Sequence, residues 1–157
     1  TLGVLLAVPD ADRLAAAIRA GVAAAAQSVP PRLRVQRVYF EASPGPYAAG
    51  PQSFIGEMLA ALGLANIIGP ELGPFPKINP ELVVRADPDL IMVGLRSAGA
   101  MAERPGWQRL RAVRGRHVCV FDDAQLDVLV RPGPRMPEAA RLMANCVMDQ
   151  NAKEGAR

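Results

Sequence analysis

The run "LIMV", Leu90–Val93, is apolar at every position, and this constrains the fold more than any other stretch. A strand with one wet face alternates apolar and polar side chains, whereas a strand covered on both faces does not. "VCVF", Val118–Phe121, repeats the pattern directly after the lone histidine, His117. Helix-like segments stand between and around such runs, so the expected class is α/β, with a mainly parallel sheet covered by helices on both faces. At 157 residues and 50% hydrophobic, the chain has material for one sizeable core and too little for two full domains.

Helix and turn signals fill in the order. "DADRLAAAIRAGVAAAAQ", Asp10–Gln27, spaces Leu14, Ile18 and Val22 four apart on one face, with Asp10 or Asp12 as cap. Pro30 and Pro31 stop it, and Leu33, Val35 and Val38–Phe40 read as one strand. Ser53 caps "FIGEMLAALG", which closes on Gly63. Asn79-Pro80-Glu81 places a cap, a proline at the first helical position and a carboxylate at the positive end of a short helix. Asp87-Pro88 ends that helix ahead of "DLIMVG". A helix near Ala98–Ala102, a turn at "RPGW", a short helix through Arg111, strand "HVCVF", loop "DDAQLDVLVRPGP" and a last helix from Pro134 to Asp149 complete the reading. The opening "TLGVLLAVPD" has neither the basic start nor the small-residue cleavage pattern of a signal peptide and reads as a chain cut within an element.

In parallel sheets, ligands sit outside the carboxyl ends of the strands. The loop after the first strand, Glu41–Ser53, holds three prolines and two glycines in thirteen residues, which gives it a fixed shape. Tyr47 there, and Phe75 in the later proline-flanked loop, either plug the core or wall a pocket. Asp122, Asp123 and Asp127 form either a carboxylate site or a solvated turn.

Much chemistry is absent. There is no G-x-G-x-x-G, no P-loop and no G-x-S-x-G elbow. A single histidine and two cysteines, Cys119 and Cys146, outside any metal-ligand spacing leave a metal centre without ligands and a disulfide open but unforced. A net charge of +3, scattered, with 4% aromatic residues, argues against a nucleic-acid surface. No apolar run reaches the ~20 residues of a membrane helix.

The order "YFEASPGPYAAGPQSFIGEMLAALGLANI", "GPFPKINPELVVRADPDLIMVG", "RPGWQRLRAVRGRHVCVF", "LVRPGPR" resembles the C-terminal lobe of the periplasmic substrate-binding proteins of ABC importers for vitamin B12, haem and ferric siderophores, and is most similar to the cobalamin receptors. The resemblance implies a Rossmann-like three-layer lobe, one half of a two-lobe class III binding protein. Residues 1–30 are then the end of the connecting region and its helix, 31–150 the lobe and 151–157 a frayed tail. It implies no enzyme activity and no resident cofactor. Its cargo is a corrinoid, haem or ferric siderophore, its partner an importer permease, and its location the periplasm or a lipid anchor at the cell surface. By the same resemblance Tyr47, Phe75 and Asp127 face ligand, Arg131 and Glu41 are further ligand candidates, and Glu81 docks onto permease arginines; helix-dipole stabilisation alone would also account for Glu81. A nitrogenase-like or chelatase-like lobe and a metal-ion receptor of the same superfamily are the alternatives, and both require histidine, cysteine or carboxylate ligands converging on the cleft.

Overall fold

A computed structural model describes residues 2–131 and 133–155. Its five strands are β1 (Arg37–Ser43), β2 (Tyr47–Ala48), β3 (Ala65–Asn66), β4 (Leu90–Gly94) and β5 (Val118–Phe121). The sheet runs β2-β1-β4-β5, with β3 also pairing β1; only β2 is antiparallel. Seven α-helices accompany it among the described residues: α1 (Leu2–Ser28), α2 (Phe54–Ala61), α3 (Pro80–Ala86), α4 (Leu95–Met101), α5 (Arg111–Arg114), α6 (Asp123–Val130) and α7 (Met136–Gly155).

The apolar runs do what their composition requires. Val38, Phe40, Leu90, Met92, Cys119 and Phe121 point to one face, where they pack with Ala25 and Val29 at the end of α1 and with α2, α6 and α7. Tyr39, Ile91 and Val93 point to the other, against Val83, Met101, Trp107, Leu110 and Ala112. Every residue of β4 is buried. The result is three layers, helices on sheet on helices, as expected for strands with no wet face. On the first face Cys119 and Cys146 are joined, 6.0 Å apart at Cα, which ties the edge strand β5 to α7.

Three local readings need correction. Leu33 and Val35 are not strand residues: Pro31–Leu33 is a 3-10 turn, Val35 has φ 62° and is 79% exposed, and β1 starts at Arg37. Two consecutive prolines favour the turn, and the Val35 amide then donates to the Gly63 carbonyl at 2.7 Å. Asp10 and Asp12 are not caps, because α1 continues N-terminal to them. The stretch expected as a loop after β5 is helix α6: Asp122 accepts from the Gln125 amide while the Gln125 side chain accepts from the Asp122 amide, a capping box. At the far end α7 runs to Gly155, into the expected tail; Ala156 and Arg157 lie outside the described residues.

Candidate functional site: the carboxyl edge of the sheet

The loops leaving β1, β4 and β5 meet around a crevice of about 350 Å³. Ser43 and Pro44 form one wall, Arg96 and Ser97 of α4 another, and Asp123 and Asp127 of α6 a third. After β1 the chain moves to β3 on one side and then to β4 on the other, so the crevice lies at a reversal of strand order, where open α/β sheets hold ligands. Gly94 allows the close approach: a Cβ there would lie 2.7 Å from Leu126 of α6. A larger, mostly apolar cavity of about 520 Å³ opens between α1 and α2 at the opposite end of the sheet, beside Arg34 and Gly63.

Of the sequence candidates, Asp123 lines this crevice, and so does Asp127. Its carboxylate receives Arg131 Nε at 2.7 Å, and both side chains are well exposed, so the pair contributes at most a few tenths of a kcal/mol.

Tyr47 and Phe75 come together on a neighbouring feature. The segment Pro74–Ile78 lies antiparallel to Pro46–Gly50: the amides of Ala48 and Gly50 donate to the carbonyls of Pro76 and Pro74, and that of Ile78 donates to Pro46. Tyr47 stands opposite Lys77. In each hydrogen-bonded pair the proline serves only as acceptor, the one role open to a residue without N–H. This register sends Tyr47 and Phe75 to the same side of the ladder as diagonal neighbours. They remain 39% and 45% exposed, unusually open for aromatic side chains on rigid backbone.

Glu41 stands elsewhere. It is fully buried, and its Oε1 accepts from Tyr39 Oη at 2.8 Å and from Arg104 Nη1 at 2.6 Å, while Oε2 accepts from Arg104 Nη2 at 3.0 Å. With no surface and both oxygens committed, it offers nothing to a ligand in this geometry, contrary to the sequence expectation. Alternation explains this: Glu41 shares the face of Tyr39, which is interior. Burial, then the adjacent carboxylate, pushes the Tyr39 phenol far above its ordinary value. Burial pulls Arg104 down, but hydrogen bonding and charge from Glu41 outweigh it and hold the guanidinium above its usual range.

Glu81 opens α3 under the Asn79 cap, whose Oδ1 accepts the Glu81 amide at 3.0 Å. Its side chain is exposed and forms no ion pair among the described residues. Sequence reasoning missed Arg96, Ser97, Arg104 and Trp107. Arg96 and Ser97 could have been found by counting two and three residues past the end of an apolar strand. No group of three or more His, Cys, Asp or Glu residues that could hold a metal occurs among the described residues.

The profile of the family described as "Periplasmic binding protein" matches residues 2–124. The ABC transporter substrate-binding lipoprotein YvrC of Bacillus subtilis is 31% identical over 121 residues, covering 74% of this chain and 37% of its own length. A cobalamin-binding protein of Halobacterium salinarum is 36% identical over 83 residues, 51% of this chain and 22% of its own. Among solved structures, a possible iron-binding periplasmic solute-binding protein from Staphylococcus epidermidis superposes with a TM-score of 0.76 at 24% identity, over 87% of this chain and 54% of that one. The chain thus spans about half or less of the length of these relatives.

Proposed function

The chain belongs to the periplasmic binding protein family, and on that premise we propose that it is the C-terminal lobe of an ABC importer's substrate receptor, one that holds a corrinoid between two lobes and delivers it to a permease. The role is capture and release, and no bond is made or broken. One observation carries the ligand class: Tyr47 and Phe75 are held half-exposed on the same side of a proline-pinned ladder. A rigid apolar pair suits the flat face of a macrocycle, since little ordering is left to be done on binding. Beside it, the crevice presents Asp127 as an acceptor and Arg96 as a donor to peripheral amide and hydroxyl groups. A corrinoid is the cargo that the name of the Halobacterium relative suggests.

The joined cysteines suit an oxidising compartment, consistent with a receptor in the periplasm or tethered outside the membrane by lipid. No described helix is long and apolar enough to cross a membrane. Glu81, exposed and unpaired among the described residues at the start of α3, is the carboxylate that would meet a permease arginine.

Calorimetric titration of the longer receptor with cyanocobalamin, haemin and a ferric hydroxamate tests the reading. We expect micromolar or tighter binding of cyanocobalamin, weakened about tenfold by Tyr47→Ala or Phe75→Ala, since losing one buried aromatic contact costs about 1.5 kcal/mol. Tight binding of haemin or the hydroxamate alone would overturn the corrinoid assignment, and binding of none would overturn the receptor.

A further inference from the structure

We infer that Arg104 and Trp107 are positioning residues for Glu81, fixing the start of α3 against the sheet so that its carboxylate can dock; the inference rests on the docking role proposed above. Trp107 is 1% exposed, and its Nε1 donates to the carbonyl of Pro80, the residue directly before Glu81, at 3.2 Å. The indole ring carries the Arg104 guanidinium 4.5 Å from its centroid. That guanidinium is in turn bound through two nitrogens to the buried carboxylate of Glu41 in β1. An unbroken path of polar contacts therefore runs from a central strand to the first turn of α3.

Packing reinforces it. Gly106 has φ 83°, and a Cβ there would lie 3.3 Å from Val84 of α3, so the turn carrying Trp107 sits flush on the helix. Tyr39 meets the Trp107 ring edge-on, with centroids 5.8 Å apart at 86°. Without these contacts the first turn of α3 would keep its Asn79 cap, the Ile78 amide bonded to Pro46 and the apolar packing of Ile78, Leu82 and Val83, none of which holds the Pro80 carbonyl itself. A carboxylate that must meet a guanidinium fork needs its backbone placed within roughly 0.5 Å, which such a support supplies.

The test uses the longer receptor and its importer in nanodiscs, with docking affinity read by surface plasmon resonance. Trp107→Phe keeps the apolar ring and removes the donor, and Arg104→Lys keeps the charge and removes the fork. Each should weaken docking about threefold to tenfold, as Glu81→Ala does. In the Glu81→Ala background neither should weaken it further, because a residue acting through Glu81 has nothing left to place. The Glu81 amide resonance should shift in both single variants. Docking of Trp107→Phe and Arg104→Lys at the unaltered affinity, or losses that add in full to Glu81→Ala, would overturn the inference. Undiminished docking of Glu81→Ala would overturn the docking role itself, and is recognisable because it needs neither of the other variants. Should Trp107→Phe fail to fold, Arg104→Lys alone decides between these outcomes.

Discussion

Glu41 holds its charge where water cannot reach and Arg104 holds the opposite charge at the margin, with their side chains 0% and 12% exposed. Taking a carboxylate out of water costs several kcal/mol, and only a well-made partner offsets it. Here the partner is a two-nitrogen fork, and Tyr39 supplies a third hydrogen bond. Arg104→Met should therefore lower unfolding stability by about 3–5 kcal/mol, since it strands a buried carboxylate and also removes the cation over Trp107. Glu41→Leu combined with Arg104→Met should recover part of that loss, because it removes the stranded charge and leaves only the Tyr39 hydroxyl without its acceptor. Urea midpoints at constant slope check both values; equal loss in the single and double variants would show that packing, not charge, is what Arg104 provides. This pair also marks a limit of the sequence. A glutamate closing an apolar strand is visible as an oddity, but its partner lies 63 residues away and no local pattern names it.

Helix α3 shows how far local signals reach. Asn79 and Pro80 open it as cap and first-turn proline, which side-chain chemistry alone specifies. Its other end is fixed by tertiary contacts: Asp87 takes the left-handed conformation, φ 46° and ψ 67°, and its carboxylate accepts the Arg111 amide at 3.0 Å and Arg111 Nε at 2.9 Å. The amide bond first, then the Arg111 side chain, holds the Asp87 carboxyl below its ordinary range. A depressed carboxyl contributes stability that is fully present above its unfolded value, about 3.9, and is lost as pH falls through the lower folded value. Asp87→Asn keeps a residue that tolerates the left-handed turn and removes the titration. Its melting temperature should fall below the parent's by no more than about 3 °C at pH 7, since exposed pairs contribute under about 1 kcal/mol. That gap should close as pH is lowered below 4; scanning calorimetry from pH 7 to 2 checks it, and a gap constant across the range would remove Asp87 from the acid response. The same contrast explains what was legible. α2, α3, β4 and β5 carry their caps, glycines and apolar runs in plain order. α6 did not read as a helix, because three aspartates suggest a turn until the pairing of Asp122 with Gln125 is noticed. β2 and β3, two residues each, exist only through partners distant in sequence, β1 for both and also Pro74–Ile78 for β2. Tyr47 and Phe75 could be picked out as aromatics stiffened by proline, yet their shared side of one ladder is a matter of long-range register.

At the scale of the whole molecule, the sheet has an open edge at β5, and one covalent link secures it. Cys119 lies in that strand and Cys146 in α7, 27 residues later; the Gln150 amide adds a weak 3.4 Å contact to the Cys119 sulfur. α7 also covers the sheet alongside α1, burying Ala139, Ala140, Met143 and Val147 in the same core as Ala25 and Val29. Closing a loop of that length removes unfolded-chain entropy equivalent to about 3.5 kcal/mol, and a lobe of this size shifts by about 2–4 °C per kcal/mol. Cys119→Ser with Cys146→Ser should therefore melt about 7–14 °C below the parent, and the parent in excess dithiothreitol should match it. Material made in a reducing cytoplasm should show the lower transition and titrate two thiols, and exported material the higher transition and none. Because the packing around α7 is unchanged in the serine variant, the loss should appear as a shift of one cooperative transition. A second, earlier transition would mean instead that β5 and α7 unfold apart from the rest, and that the link holds together two parts of the lobe that do not otherwise cooperate.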